Sequence, residues 1–268
     1  MSAVTKAAPS HGKLDIKFRN VRGKTSLVDC YQQPPLKASR ALYIEGTRKA
    51  TVYLMESSGG LVAGDRNDFT VELEENTEVV LKPQSATKVY PAFNNQPSEQ
   101  TITIHIGENS HLEWNRDEII PFERAKFNGK SRVQMTNSSS LLWNEIIYSG
   151  REKRGEKFAF QECNTHLEVW MEAECVVYDS LKLHPKEQEL QQLSVLEDFN
   201  YIGNLWFICS EASKVDSTEF QKLLVQTENH KSGISTLDGK GILVRWLSNN
   251  LPLIKREMET LDMHLLTK

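Results

Sequence analysis

A chain of 268 residues and 30.6 kDa is long enough to bury a full hydrophobic core, and its 39% apolar and 25% charged content is that of an ordinary globular protein. A net charge of −4 and a pI near 6.0 leave no electrostatic footprint for nucleic acid. No run approaches the ~18 consecutive apolar residues of a membrane-spanning helix.

Taken in chain order, residues 1–12 are small and polar without the apolar segment of an export signal, and read as a flexible tail. The remainder, 13–268, has no linker rich in Gly, Pro or Ser and is expected to form one domain. Leu14, Ile16 and Phe18 alternate with Asp15, Lys17 and Arg19, the period of a half-buried strand. Two more strand-like runs, Thr51–Met55 and Phe69–Leu73, flank the loop Glu56-Ser57-Ser58-Gly59-Gly60-Leu61-Val62-Ala63-Gly64-Asp65-Arg66. Its glycines mark a tightly shaped loop carrying an ionisable group, either a plain turn with an Asp65–Arg66 ion pair or a ligand loop. Phosphate is excluded as the ligand. A P-loop needs Lys-Ser/Thr where Asp65-Arg66 stands, and a dinucleotide loop must open a helix, whereas a strand follows here.

Further strands are expected at Glu78–Lys82, Thr101–Ile106, His111–Trp114, Arg132–Met135, Leu141–Tyr148, Lys157–Gln161, Leu167–Met171 and Cys175–Leu183. Turn signals fall between them at Glu75-Asn76, Gly107-Glu108-Asn109, Asn128-Gly129, Ser149-Gly150 and Arg154-Gly155. That spacing fits a sandwich, barrel or β-helical stack, and no repeat of fixed length singles out a regular solenoid. The last third turns partly helical. Phe220, Leu223 and Leu224 share a face over Glu219–Thr227, and Leu251, Ile254, Met258, Leu261 and Leu265 form a stripe behind a cap at Asn249 or Asn250. Gly241–Trp246 reads as a buried strand between them.

Four cysteines (Cys30, Cys163, Cys175, Cys209) lack metal-site spacing and read as buried free thiols, which with no export signal places the chain in the cytoplasm. The seven histidines include no H-E-x-x-H, although His105 and His111 flank a turn as hairpin partners would. Carboxylates in apolar strand contexts, Glu145, Glu168 and Asp179, are outward-facing by simple alternation. If inward, they need a cation, a partner or water, and a wet acidic lining suits a divalent ion held loosely enough to move on.

Five collinear motifs then carry a family resemblance. Gly59-Gly60-Leu61-Val62-Ala63-Gly64-Asp65 and Leu81-Lys82-Pro83-Gln84-Ser85-Ala86-Thr87-Lys88-Val89-Tyr90 come first. Leu112-Glu113-Trp114 with Asp117–Phe122, Gly150-Arg151 with Arg154–Phe158, and Gly239–Arg245 follow in order. From about Leu14 to the C-terminus the chain resembles the urease accessory protein UreD (UreH) family, departing from its usual pattern at Ser58, Ala63 and Asn144. The resemblance implies a mainly β fold, a β-helix-like stack of short strands with two or more helices in the C-terminal third. It implies a non-enzymatic scaffold that binds apo-urease and UreF, reaches the GTPase UreG through UreF, and holds no cofactor tightly. Nickel(II) is expected to pass transiently through an internal polar passage. The positions expected to line it are Asp65, Thr87, Glu145, Glu168 and Asp179. The competing reading is a β-rich hydrolase pairing Asp65 with Glu145 or Glu168 as acid and base.

Overall fold

The computed structural model describes residues 8–44, 47–93, 95–210 and 217–265. β1 (His11–Val21) and β2 (Lys24–Gln33) open the chain as an antiparallel hairpin, followed by the short β3 (Leu36–Ala38). The chain then changes sheet at every turn. It runs from β4 (Ala50–Glu56) to β5 (Arg66–Leu73), and from β6 (Glu78–Pro83) and the short β7 (Thr87–Val89) to β8 (Ser98–Ile106). Two further turns run from β9 (His111–Pro121) to β10 (Lys126–Met135) and from β11 (Ser140–Tyr148) to β12 (Glu162–Met171). Neighbouring turns pair in parallel, so β1, β5, β8, β10 and β12 form one sheet and β4, β6, β9 and β11 the other. The result is a two-sided β-solenoid, the β-helix-like stack expected from the family resemblance.

Antiparallel strands complete both sheets. β13 (Glu174–Leu183) ends the first sheet beside β12, while β14 (Tyr201–Cys209), β16 (Gly241–Ser248) and β15 (His230–Thr236) extend the second beyond β11. Parallel register stacks like on like. Ile16, Val71, Ile104, Val133, Val169 and Val177 align across the first sheet, facing Val52, Leu81, Trp114, Trp143 and Trp206 across the second. Trp114 and Trp143 stack with centroids 5.0 Å apart and planes 8° apart, a contact worth about 1 kcal/mol beyond area burial. Repeats like these are hard to see in sequence because the turns differ in length and only the inward positions match.

The terminal helix α2 (Leu251–Leu265) starts as expected, the Asn250 side chain accepting from the Leu253 amide at 3.0 Å. It buries Ile254, Met258, Leu261 and Leu265 on the outer face of the second sheet, against Leu142, Ile146, Leu205, Ile242, Val244 and Trp246. Beneath it Glu257 accepts from Trp246 Nε1 (2.6 Å), the Val225 amide (2.7 Å) and His230 Nε2 (3.0 Å).

Several local expectations need correction. α1 covers only Ser217–Gln221, since hydrogen bonds from the amides of Lys222, Leu223 and Leu224 span three residues and tighten the chain into turns. Asn128-Gly129 lies inside β10, where pairing on both sides overrides the turn signal. Lys157–Gln161 follows a 3-10 turn (Glu152–Arg154) as irregular chain, not strand. His105 and His111 sit on different sheets, because the chain crosses between them instead of forming a hairpin. The cysteines are free, but only Cys163 is buried; Cys30 and Cys175 are exposed and Cys209 is half-buried. Of the tail, residues 1–7 lie outside the described residues, whereas His11 and Gly12 already belong to β1.

Candidate functional site

Two apolar clusters fill the space between the sheets, one around Trp114, Trp143 and Leu167 and one around Ile119, Phe127, Ile147 and Cys163. A layer of polar side chains separates them. Along β11 the inward positions read Trp143, Glu145, Ile147, and along β14 they read Trp206, Asn204, Ile202. The same change of character recurs strand by strand, so Asp117, Glu145, Asn204 and Arg245 occupy one register row across β9, β11, β14 and β16. Opposite them stand Asn67, Gln100, Gly129 and Thr165, aligned across β5, β8, β10 and β12.

Asp117 reaches the row through a β-bulge. Asn115 and Arg116 of β9 lie between Trp114 and Asp117, where β11 places Asn144 alone between Trp143 and Glu145. Without the extra residue, alternation would turn Asp117 to the outer face. On the facing strand, Asn144 turns outward and donates to both oxygens of Asp262 on α2, at 3.1 and 3.2 Å.

The layer is hollow. One cavity, about 40 Å³ open to the centres of water molecules, is bounded by Glu56, Asn67, Ser85, Thr87, Gln100 and Asp117 among others. A second, about 20 Å³ by the same measure, shares Gln100 and Asp117 and continues past Glu145 and Asn204 to Asp179. Together they run across the strands, along the axis of the stack. Asn67 Oδ1, Trp114 Nε1, Asn204 Oδ1 and Trp206 Nε1, all in the walls, are buried with no protein partner. Buried polar atoms of this kind are satisfied by ordered water, and each cavity exceeds the ~10–15 Å³ that one water needs.

Burial dominates the electrostatics. It lifts the Asp117 carboxyl to about 6, against hydrogen bonds from Gln100 (3.1 Å) and Thr87 that favour the anion. It lifts Glu145 further, to about 8, aided by the neighbouring Asp117 charge and opposed by the Asn204 amide at 3.3 Å. Glu145 keeps part of its surface open to the cavity although protein encloses it. Two carboxyls in one desolvated row favour whatever brings positive charge to them.

Of the five residues expected in a passage, the structure brings three to this cavity: Thr87, Glu145 and Asp179. Asp65 is buried but turned to its own loop, accepting from the amides of Ser10 (2.7 Å) and Val62 (2.9 Å). It makes no ion pair with Arg66, which reaches Asp68 instead. Gly60 explains the loop's composition, since its φ is +139° and a Cβ there would meet Lys88 O at 2.5 Å. Glu168 lies outside the layer. Leu167 and Val169 take the inward positions of β12, leaving Glu168 on the outer face with His166 (2.8 Å), Trp170 (3.1 Å) and Arg132. Asp117, Gln100 and Asn204 were not expected. For Asp117 the Trp-x-x-Asp spacing of β9 against Trp-x-Glu of β11 is a signal, legible only once the two strands are known to pair.

The family model for the UreD urease accessory protein matches residues 10–265, nearly the whole of this structure. The chain belongs to the UreD family. It is 42% identical over 245 residues to the urease accessory protein UreD of Sporosarcina pasteurii, covering 91% of this chain and 95% of that one. The urease accessory protein UreD of Lysinibacillus sphaericus is 40% identical over 247 residues, with 92% of both chains covered. That of Halalkalibacterium halodurans is 34% identical over 242 residues, covering 90% and 88%. In this UreD-family chain the two motifs nearest the N-terminus meet in space. The glycine loop and the Gln84–Tyr90 segment are joined by the Leu61 amide on Lys88 O and the Tyr90 amide on Leu61 O, both at 2.8 Å, beside the Thr87 end of the cavity. No group of three or more His, Cys, Asp or Glu that would hold a metal ion occurs among the described residues, and no helix there is long and apolar enough to cross a membrane.

Proposed function

We propose that this chain is a scaffold of urease maturation that conducts nickel(II) along the polar layer between its sheets, with Thr87, Gln100, Asp117, Glu145, Asn204 and Asp179 as the lining. The observation that carries the reading is the cavity itself, a hollow row of carboxyl and amide oxygens running along the axis of a solid β-stack. Oxygen donors of this kind bind a divalent ion without the soft, closed ligand set that traps it. Asp117 supplies charge, as does Glu145 once an arriving cation displaces its proton, while Gln100, Asn204 and Thr87 replace hydration. Nickel is the cargo and no cofactor is resident. Apo-urease and UreF are the partners that an accessory protein with such a passage would join, UreG being reached through UreF, in the cytoplasm and without catalysis by this chain.

Size weighs against the hydrolase alternative. Asp65 and Glu168 face neither each other nor Glu145, and the carboxyls that do share a cavity, Asp117 with Glu145 and Asp179 and Asp117 with Glu56, have room for water or an ion, far below the ~300 Å³ of a small-molecule site.

The test is co-expression with urease subunits, the other accessory proteins and nickel. The double variant Asp117→Asn, Glu145→Gln should lower nickel per urease active site at least fivefold by elemental analysis, while the complex still co-purifies. Undiminished nickel content in that variant rejects the passage.

A further inference from the structure

The Gly239–Arg245 motif has no part in the lining above, yet its last residue stands in the same row. On β16, Leu243 packs into the first inner cluster and Leu247 into the second, so Arg245, between them, enters the polar layer where Asp117, Glu145 and Asn204 precede it. Its guanidinium ion-pairs with Asp179 of β13. These strands belong to different sheets, β13 being the last strand of the first. The pair therefore bridges the open side of the stack, at the end of the cavity that Glu145 and Asp179 line. Exposure differs between the partners. The Arg245 side chain is 53% exposed and Asp179 only 19%, so the cation faces solvent and the carboxylate faces inward.

We propose that Arg245 gates this mouth of the passage, holding Asp179 as an internal counter-ion until a divalent cation displaces it. The inference rests on the passage reading. A guanidinium keeps its proton at every accessible pH, so the gate opens by movement of the side chain and not by titration. A doubly charged ion at the mouth can be ligated by Asp179 and, behind it, by Glu145 and Asp117, whereas Arg245 ion-pairs with Asp179 and touches Glu145 only through its field. Half in solvent, the arginine swings out with its charge hydrated. The arrangement also keeps the resting passage from collecting cations, because its outermost carboxylate is already neutralised.

Equilibrium dialysis of the full chain against Ni²⁺ reads this directly. Arg245→Gln frees Asp179 and should tighten Ni²⁺ binding about tenfold, while Arg245→Gln combined with Asp179→Asn should return it to the wild-type value or below. Arg245→Lys, which keeps the charge but loses the planar fork, should fall between wild type and Arg245→Gln. The exchanged pair Arg245→Asp, Asp179→Arg rebuilds the bridge and should bind as wild type. Unchanged affinity in Arg245→Gln overturns the gate, as does a gain that persists once Asp179 is neutralised. If Arg245→Gln does not fold, the lysine and exchanged variants decide: lysine binding as wild type, or the exchanged pair binding about tenfold tighter, overturns it equally. Asp117→Asn with Glu145→Gln separates the two ideas. Weakened binding there with Arg245→Gln like wild type removes the gate and keeps the passage, whereas no change in either removes both.

Discussion

Asp65 and Glu145 show how differently two protein-enclosed carboxylates are used. Asp65 is spent on its own backbone, accepting two amides that fix the glycine loop against residue 10. Asp65→Ala takes the charged acceptor from those two part-buried amides, a cost of about 1–3 kcal/mol. Its urea midpoint should drop accordingly, and urease activation should track the folded fraction. Activation lost at unchanged stability would return Asp65 to the passage. Glu145 has no backbone amide to answer it, and burial holds its carboxyl up at about 8. The sign follows from the unfolded value near 4.5: a raised folded pKa favours the fold below that pH, and the contribution is lost as pH rises through 8. Glu145→Gln should therefore gain stability relative to wild type between pH 6 and about 9, by roughly 1–4 kcal/mol at the upper end. Chemical denaturation at pH 5 and pH 9 measures the difference, and parallel midpoints at both pH values would contradict it.

At the scale of elements, α2 is bound to the second sheet by an apolar stripe and a buried polar cluster. Met258 is fully buried, and Met258→Ala should cost about 2–5 kcal/mol by cavity formation. Glu257→Ala removes the common acceptor of Trp246, His230 and the Val225 amide, and should cost about 3 kcal/mol or more by leaving them unanswered. Hydrogen exchange should quicken in α2 and β15 and stay slow in β5 and β8, which lie inside the first sheet, away from the helix. The helix was legible because its stripe recurs at three- and four-residue spacing over fifteen residues. The shorter α1 was legible as a helix but not in its extent, since five residues offer little more than one turn of pattern.

For the molecule as a whole, the polar layer is a stability liability that cuts the core between the sheets in two. Apolar side chains of similar volume generally replace buried charge without loss and often with gain. Asp117→Leu with Glu145→Leu should thus raise the denaturant midpoint, or leave it unchanged, while nickel loading of co-expressed urease collapses. A fall in both together would mean that the layer is structural. The short spacing and steady alternation made the mainly β character plain, and the five motifs carried the family. Outward Glu168 and inward Glu145, by contrast, sit in runs that look alike, Leu-Glu-Val-Trp and Asn-Glu-Ile-Ile, and local pattern cannot say which face of a strand meets the other sheet.

Composition, periodicity and motif order by themselves determined the β architecture, the terminal helix with its Asn250 cap and the membership in the UreD family. Each depends on residues close in sequence, where turn chemistry and strand period act directly. Which carboxylates share a cavity was decided only by the tertiary structure. Register across turns of unequal length and one bulge at Asn115-Arg116 set Asp117 beside Glu145, and two sheets had to meet before Arg245 could find Asp179. Those are contacts between strands far apart in the chain, and no short stretch of sequence contains them.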